Sequence, residues 1–203
     1  EAAERLYQRG IVRGFLHTYI GEEAIAVGAI PNLREDDYII GHYRDHGHAL
    51  ARGLPPRTAM AELCGKATGS SGGKGGSMHL FDIKRHLMGG HAIVGGQFPL
   101  AVGMALGLKM KGELDSIVMC FFGDGAVQEG EFHETMNLAS LWNLPIVFML
   151  ENNLYGMGTE VNRSNAAGQN IYSTAESYQI PAVQIDGMDL IQVRETVIEG
   201  ISK

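Results

Sequence analysis

With 203 residues, 45% hydrophobic and 19% charged, the chain is long enough to bury one substantial core and needs no second domain. A formal net charge of −7 with no basic stripe argues against nucleic acid or an acidic membrane as the main partner. No apolar stretch approaches the roughly 20 residues that span a bilayer.

Residues 1–13 and 22–30 carry helical patterns, the second stopped by Pro31. The chain starts at Glu1, already in helical pattern and without a methionine, so a missing N-terminal piece is expected. No secretory or transit peptide is visible. Residues 38–40 predict a short strand leading into Gly41-His42-Tyr43-Arg44-Asp45-His46-Gly47, and Pro55-Pro56 opens a helix over 57–66. The glycine-rich residues 67–97 read as ordered functional loops, with Met78, Leu80, Phe81, Leu87 and Met88 as apolar anchors. Residues 99–110 form a small-residue helix in which Gly103 and Gly107 permit close packing against a neighbour. The apolar runs 117–122 and 146–150 read as buried parallel strands joined by a helix over 131–142. A polar loop over 156–177, a strand around 183–185 and a helix capped by Asp189, with Gln192 at the capping-box position, complete the pattern, which stops midway at Lys203. The fold class is α/β, a parallel sheet flanked by helices in a single domain over 1–203. Cys64 and Cys120 form no CxxC pair and read as inert core thiols of a reducing compartment.

The chemistry concentrates where the two central strands end. Gly123-Asp124-Gly125 follows the first and Glu151-Asn152-Asn153 the second, so Asp124 and Asn153 meet at the carboxyl edge of the sheet, where open α/β folds bind ligands. One carboxylate and one amide oxygen suit magnesium bound partly through a phosphate. Either motif alone is more often a simple strand end. Two nucleotide readings fail. Gly69, Gly73 and Lys74 have the wrong spacing for a P-loop, with Gly75 where Ser or Thr is required, and Gly123-Asp124-Gly125-Ala126-Val127-Gln128 lacks a third glycine. The Arg44 guanidinium is suited to gripping a diphosphate, although an isolated arginine more often decorates a surface. His17, alone among apolar residues, more often serves structure.

Further blocks join these motifs: Arg13-Gly14-Phe15-Leu16-His17, Gly21-Glu22-Glu23-Ala24, Gly73-Lys74-Gly75-Gly76-Ser77-Met78-His79, Ile93-Val94-Gly95 and Glu151-Asn152-Asn153-Leu154-Tyr155-Gly156-Met157-Gly158-Thr159. In this order the chain resembles the alpha subunits of the thiamine-diphosphate-dependent 2-oxoacid dehydrogenases, best the pyruvate dehydrogenase first component, and hence their thiamine-diphosphate-binding fold. The resemblance implies magnesium on Asp124, the Asn153 side chain and the Tyr155 backbone carbonyl. Gly125 and Ala126 would offer N–H groups to the diphosphate at the start of the crossover helix, Arg44 would grip it, and Tyr43 would lie beside it. Ala92 and Val94 would recognise the aminopyrimidine through backbone groups; many relatives carry glycine where Ala92 stands. His17 and Tyr43 would face the substrate, and His46 would line the wall unless it only steadies a loop.

The reaction so implied is oxidative decarboxylation of pyruvate, with the cofactor as electron sink and acyl transfer to lipoyl groups of a partner acyltransferase. The ring-activating glutamate is expected from a separate beta subunit in a heterotetramer of two alpha and two beta chains. The acidity of Glu22, Glu23 and Glu151 is assigned to loop and helix-end contacts. Family members continue past Lys203 into a histidine-bearing loop, so a C-terminal segment is expected to be missing here. The competing readings are an acetoin or branched-chain 2-oxoacid dehydrogenase alpha subunit, a truncated partner-binding module without catalysis, and a scaffold without a ligand. The stretch Tyr155-Gly156-Met157-Gly158-Thr159 favours pyruvate. A bacterial cytoplasm is the default compartment, with a mitochondrial or plastid matrix left open.

Overall fold

The computed structural model describes residues 1–113 and 115–202. Its centre is a parallel sheet of β1 (Tyr38–His42), β2 (Leu87–His91), β3 (Val118–Gly123) and β4 (Ile146–Glu151), in the spatial order β2-β1-β3-β4. The β3–β4 ladder runs in unbroken register from Val118↔Ile146 to Gly123↔Glu151. The period of two along a strand divides the apolar run of β3 between two cores. Val118, Cys120 and Phe122 face one side, with Phe98, Val102 and Leu108 of α5 (Gln97–Lys111) and Phe132 and Met136 of α6 (Gly130–Leu141). Met119 and Phe121 face the other. There they pack with Ala26 and Ala29 of α2 (Glu23–Ala29), Ala49 of α3 (His46–Ala51), and Val193 and Val197 of α8 (Leu190–Ile201). Cys120 is fully enclosed, and burial pushes its thiol pKa up, away from the reactive thiolate.

Several elements depart from the sequence reading. The strand β2 lies inside the glycine-rich stretch read as loops. Its glycines hide the strand pattern but are required by packing, since a Cβ on Gly90 would lie 2.3 Å from Oδ2 of Asp45. Residues 183–185 are not a strand, because among the described residues no neighbouring backbone pairs with them; Ile185 instead packs on the second core. The helix α1 (Ala2–Gln8) stops short of residue 13, α4 spans Pro56–Leu63, and the polar loop folds into β5 (Tyr155–Gly156), β6 (Thr159–Glu160), α7 (Val161–Ser164) and a 3-10 segment Gly168–Tyr178. Asp189 caps α8 as expected, accepting from the N–H groups of Ile191 (3.0 Å) and Gln192 (3.1 Å). The reciprocal capping-box bond is absent: the Gln192 side chain accepts from the Asp186 N–H instead, at 3.0 Å. On α5, positions where Cβ atoms would stand on Gly103 and Gly107 have nothing within 4 Å, so these glycines face open space rather than a neighbour in this chain. Among the described residues no helix is long and apolar enough to cross a membrane.

Candidate functional site

The carboxyl ends of the four central strands form one row. Ala92 and Val94 follow β2, Tyr43 and Arg44 follow β1, the 3-10 turn Asp124–Ala126 follows β3, and Asn153 and Tyr155 follow β4. Parallel register places these ends side by side, with His42 opposite His91 and Gly123 opposite Glu151. On the far side, Gly95 joins the β2–α5 connection to the β3–α6 connection, where an added Cβ would lie 3.1 Å from the Glu129 Cβ.

Asp124 is 2% exposed, and its Oδ2 has no hydrogen-bond partner among the described residues. Burial pushes its pKa up, opposed by the backbone N–H groups of Asp124 itself and of Asn153. A buried carboxylate oxygen without a donor costs about 1–3 kcal/mol, so it is predisposed to meet a cation. The double asparagine is explained by two successive Asx turns: Asn152 Oδ1 accepts the Leu154 N–H at 3.0 Å, and Asn153 Oδ1 accepts the Tyr155 N–H at 3.1 Å. These turns fold the chain back so that Gly156 packs on Gly125. A carboxylate, an amide oxygen and a backbone carbonyl are hard oxygen donors, and as a set they fit magnesium. Gly125 and Ala126 sit in the 3-10 turn, ahead of α6, which begins only at Gly130. The expectation that they open the crossover helix is therefore corrected: they lie in the turn before it.

Arg44 Nη1 donates to the Thr18 carbonyl at 2.6 Å, and Arg44 Nε lies 3.8 Å from Glu22 Oε1. The same Glu22 oxygen accepts from Asn153 Nδ2 at 3.0 Å, so one carboxylate bridges the β1 and β4 ends. The rings of His17 and Tyr43 lie 4.5 Å apart. Ser77 ties the remaining pieces together: its Oγ accepts the His17 N–H at 3.2 Å and lies 2.9 Å from His46 Nε2. Burial lowers the pKa of both histidines; Arg44 and His42 add to the effect at His17, whereas the Ser77 carbonyl opposes it at His46. Both rings are thereby kept predominantly neutral near neutral pH.

Sequence reasoning missed how three residues hold this arrangement. Ser77 lay within a quoted block but carried no chemistry by itself. Glu62 of α4 is fully buried, and its carboxylate accepts the N–H groups of Ser71 (2.8 Å), Gly73 (2.8 Å), Gly75 (2.6 Å) and Gly76 (3.2 Å). Burial favours the protonated form there, but those four donors outweigh it and lower the pKa. Gly73 is required in this nest: its φ is +76°, and a Cβ would lie 2.7 Å from the Lys66 carbonyl oxygen. Glu151 is the third. It makes contacts of the kind expected, with Tyr19 in a loop and His48 in the first turn of α3, but it is 3% exposed and also meets His42 at the end of β1.

The profile of the dehydrogenase E1 component family matches residues 1–201. The chain belongs to this family. Among its E1 relatives, the pyruvate dehydrogenase E1 component subunit alpha of Rhizobium meliloti is 45% identical over 99% of this chain and 57% of its own length. The alpha subunit of the acetoin:2,6-dichlorophenolindophenol oxidoreductase of Bacillus subtilis is 44% identical over 100% of the chain and 60% of its own length. The chain thus spans somewhat more than half the length of these relatives. In fold it is similar to the benzoylformate decarboxylase of Polynucleobacter necessarius, with a TM-score of 0.57 at 13% identity over 90% of this chain and 30% of the other.

Proposed function

We propose that this E1 chain acts as the alpha subunit of a pyruvate dehydrogenase component that uses thiamine diphosphate and magnesium. Its reaction is oxidative decarboxylation of pyruvate with acyl transfer to the lipoyl groups of a partner acyltransferase. The observation that carries this reading is the donorless, buried Oδ2 of Asp124 at the strand end beside Asn153. Asp124, the Asn153 amide oxygen and the Tyr155 carbonyl would hold magnesium. Arg44 and the N–H groups of Gly125 and Ala126 would hold the diphosphate, with Tyr43 beside it and the backbone of Ala92 and Val94 against the aminopyrimidine. When bound, thiamine diphosphate supplies the electron sink that decarboxylation of a 2-oxoacid requires. His17 and Tyr43 face the substrate, where a predominantly neutral His17 is able to accept a proton, and His46 closes the wall through Ser77.

A beta subunit completes the site with the ring-activating glutamate, in a heterotetramer of two alpha and two beta chains. The uncovered glycine face of α5 is consistent with such a partner. An acetoin dehydrogenase is the second reading, favoured by the 44% identity to the Bacillus subtilis acetoin enzyme across the whole chain.

The deciding experiment is calorimetric titration of thiamine diphosphate with magnesium into the chain alone and co-purified with a beta subunit, followed by turnover of pyruvate against acetoin. Binding that requires the partner and is lost in Asp124→Ala supports the shared site. Absence of binding in a folded, associated complex overturns it, and preference for acetoin selects the second reading.

A further inference from the structure

Glu151, outside the ligand-contacting set proposed above, gathers three side-chain donors on one buried carboxylate. Its Oε2 accepts from His42 Nε2 at 2.5 Å, and its Oε1 accepts from His48 Nε2 at 3.0 Å and from the Tyr19 hydroxyl. All four residues are buried. The geometry fixes the ring protons. His42 Nδ1 accepts the Arg44 N–H at 3.0 Å, so the His42 ring proton sits on Nε2 and is donated to Glu151. Burial opposes ionisation of Glu151, but His48 and then His42 hold its pKa well below the usual carboxylate range.

The cluster therefore spans the sheet. His42 ends β1 and Glu151 ends β4, with β3 between them. The β3 residue in register with Glu151 is Gly123. Gly47 leaves room for Tyr19, since a Cβ there would lie 2.0 Å from the Tyr19 ring. His42, His48 and Glu151 have the composition of a metal site, with ligand atoms within 4.8 Å of one another. Ligation through His42 Nε2 would require the other tautomer and break the bond to the Arg44 N–H, so a hydrogen-bonded hub accounts for the geometry better.

We infer that Glu151 is a positioning residue, which through His42 holds the Arg44 segment after β1 and the Asn153 segment after β4 in one relative placement. The coupling stands on hydrogen bonds alone. Its use, gripping a diphosphate from two sides, rests on the proposed function.

The test is that a change at one strand end must be felt at the other. In the chain itself, Glu151→Gln is expected to accelerate hydrogen exchange of the Arg44 amide about tenfold. His42→Gln, made on β1, is expected to do the same for the Tyr155 amide beyond β4. The Cys120 amide inside β3 serves as the unaffected control, and ring nitrogen NMR should report His42 as the Nε2–H tautomer in the unsubstituted chain. Effects confined to the substituted side, or the opposite tautomer, overturn the coupling; if Glu151→Gln does not fold, His42→Gln alone decides it.

In the protein assembled with its beta subunit, both substitutions are expected to weaken magnesium thiamine diphosphate binding about tenfold by calorimetry. Unchanged affinity with intact binding by the unsubstituted protein overturns the positioning role. Failure of the unsubstituted protein to bind overturns the functional reading, while the exchange measurements still decide the coupling.

Discussion

The glycine-rich loop beside His17 and the metal-competent turn at Asp124 are each built around a buried carboxylate, and they titrate in opposite directions. Glu62 receives four backbone N–H groups and is held below its ordinary pKa. Asp124 has one oxygen with no donor among the described residues and is pushed above its ordinary pKa. Asp45 stands between them: Oδ2 accepts the Leu80 N–H at 3.1 Å, whereas Oδ1 has no partner, and burial raises its pKa to about 7. Burial is therefore not the distinguishing variable. A carboxylate that its own chain completes is architecture, and one left open at a strand end is a place for something else.

The largest effect that separates these cases is expected at Glu62. Glu62→Ala orphans four amides and should lower stability by about 3–5 kcal/mol in chemical denaturation. An unchanged midpoint would mean that the loop holds itself and the contrast with Asp124 is empty. Asp45 comes next. Its folded pKa lies above its ordinary 3.8, so the folded state binds the extra proton between these values. The associated stability is full below the ordinary value and is lost as pH rises through about 7. The stability difference between the unsubstituted chain and Asp45→Asn should therefore swing by about 3 kcal/mol between pH 4 and pH 8, in favour of the asparagine at high pH. A pH-independent difference would refute that assignment.

At Asp124 the two consequences should part company. Asp124→Asn removes a disfavoured buried charge and is expected to stabilise the chain by about 1 kcal/mol. It should also weaken magnesium thiamine diphosphate binding about 100-fold, as removal of the only carboxylate in the proposed ligand set demands. Lost stability would place Asp124 with Glu62. The smallest effect is reserved for Glu22, whose 3.8 Å approach to Arg44 is partly solvated. Glu22→Gln should change the unfolding free energy by less than about 1 kcal/mol; a larger loss would make the bridge to Asn153 structural.

How much of this was legible follows from how far each contact reaches along the chain. Asp124 and Asn153 could be placed because each ends an uninterrupted apolar run, and one intervening helix fixes the two strands as parallel neighbours. The Glu62 nest closes over 9 to 14 residues with no periodic signal, because backbone N–H groups are donors whatever the side chain. The Glu151 cluster reaches across 103 to 132 residues, and its members resemble ordinary polar residues near a loop until the sheet order is known. The strand β2 was obscured by the glycines its packing demands, and residues 183–185 show the converse, an apolar alternation without a backbone to pair with. The glycine face of α5 has the small residues expected of a contact but no neighbour at Gly103 or Gly107 among the described residues.

The row of strand ends also has a history in time. The unit β3–α6–β4 is local in sequence and brings Asp124 and Asn153 together as soon as it forms. Arg44 joins only when Tyr38 pairs with Val118, and Ala92 only when Ile39 pairs with Leu87, each closing a long loop that is entropically slow to form. A partly folded chain would thus bring the proposed cation ligands together before the arginine arrives, so on the proposed reading full ligand binding would report that folding has finished.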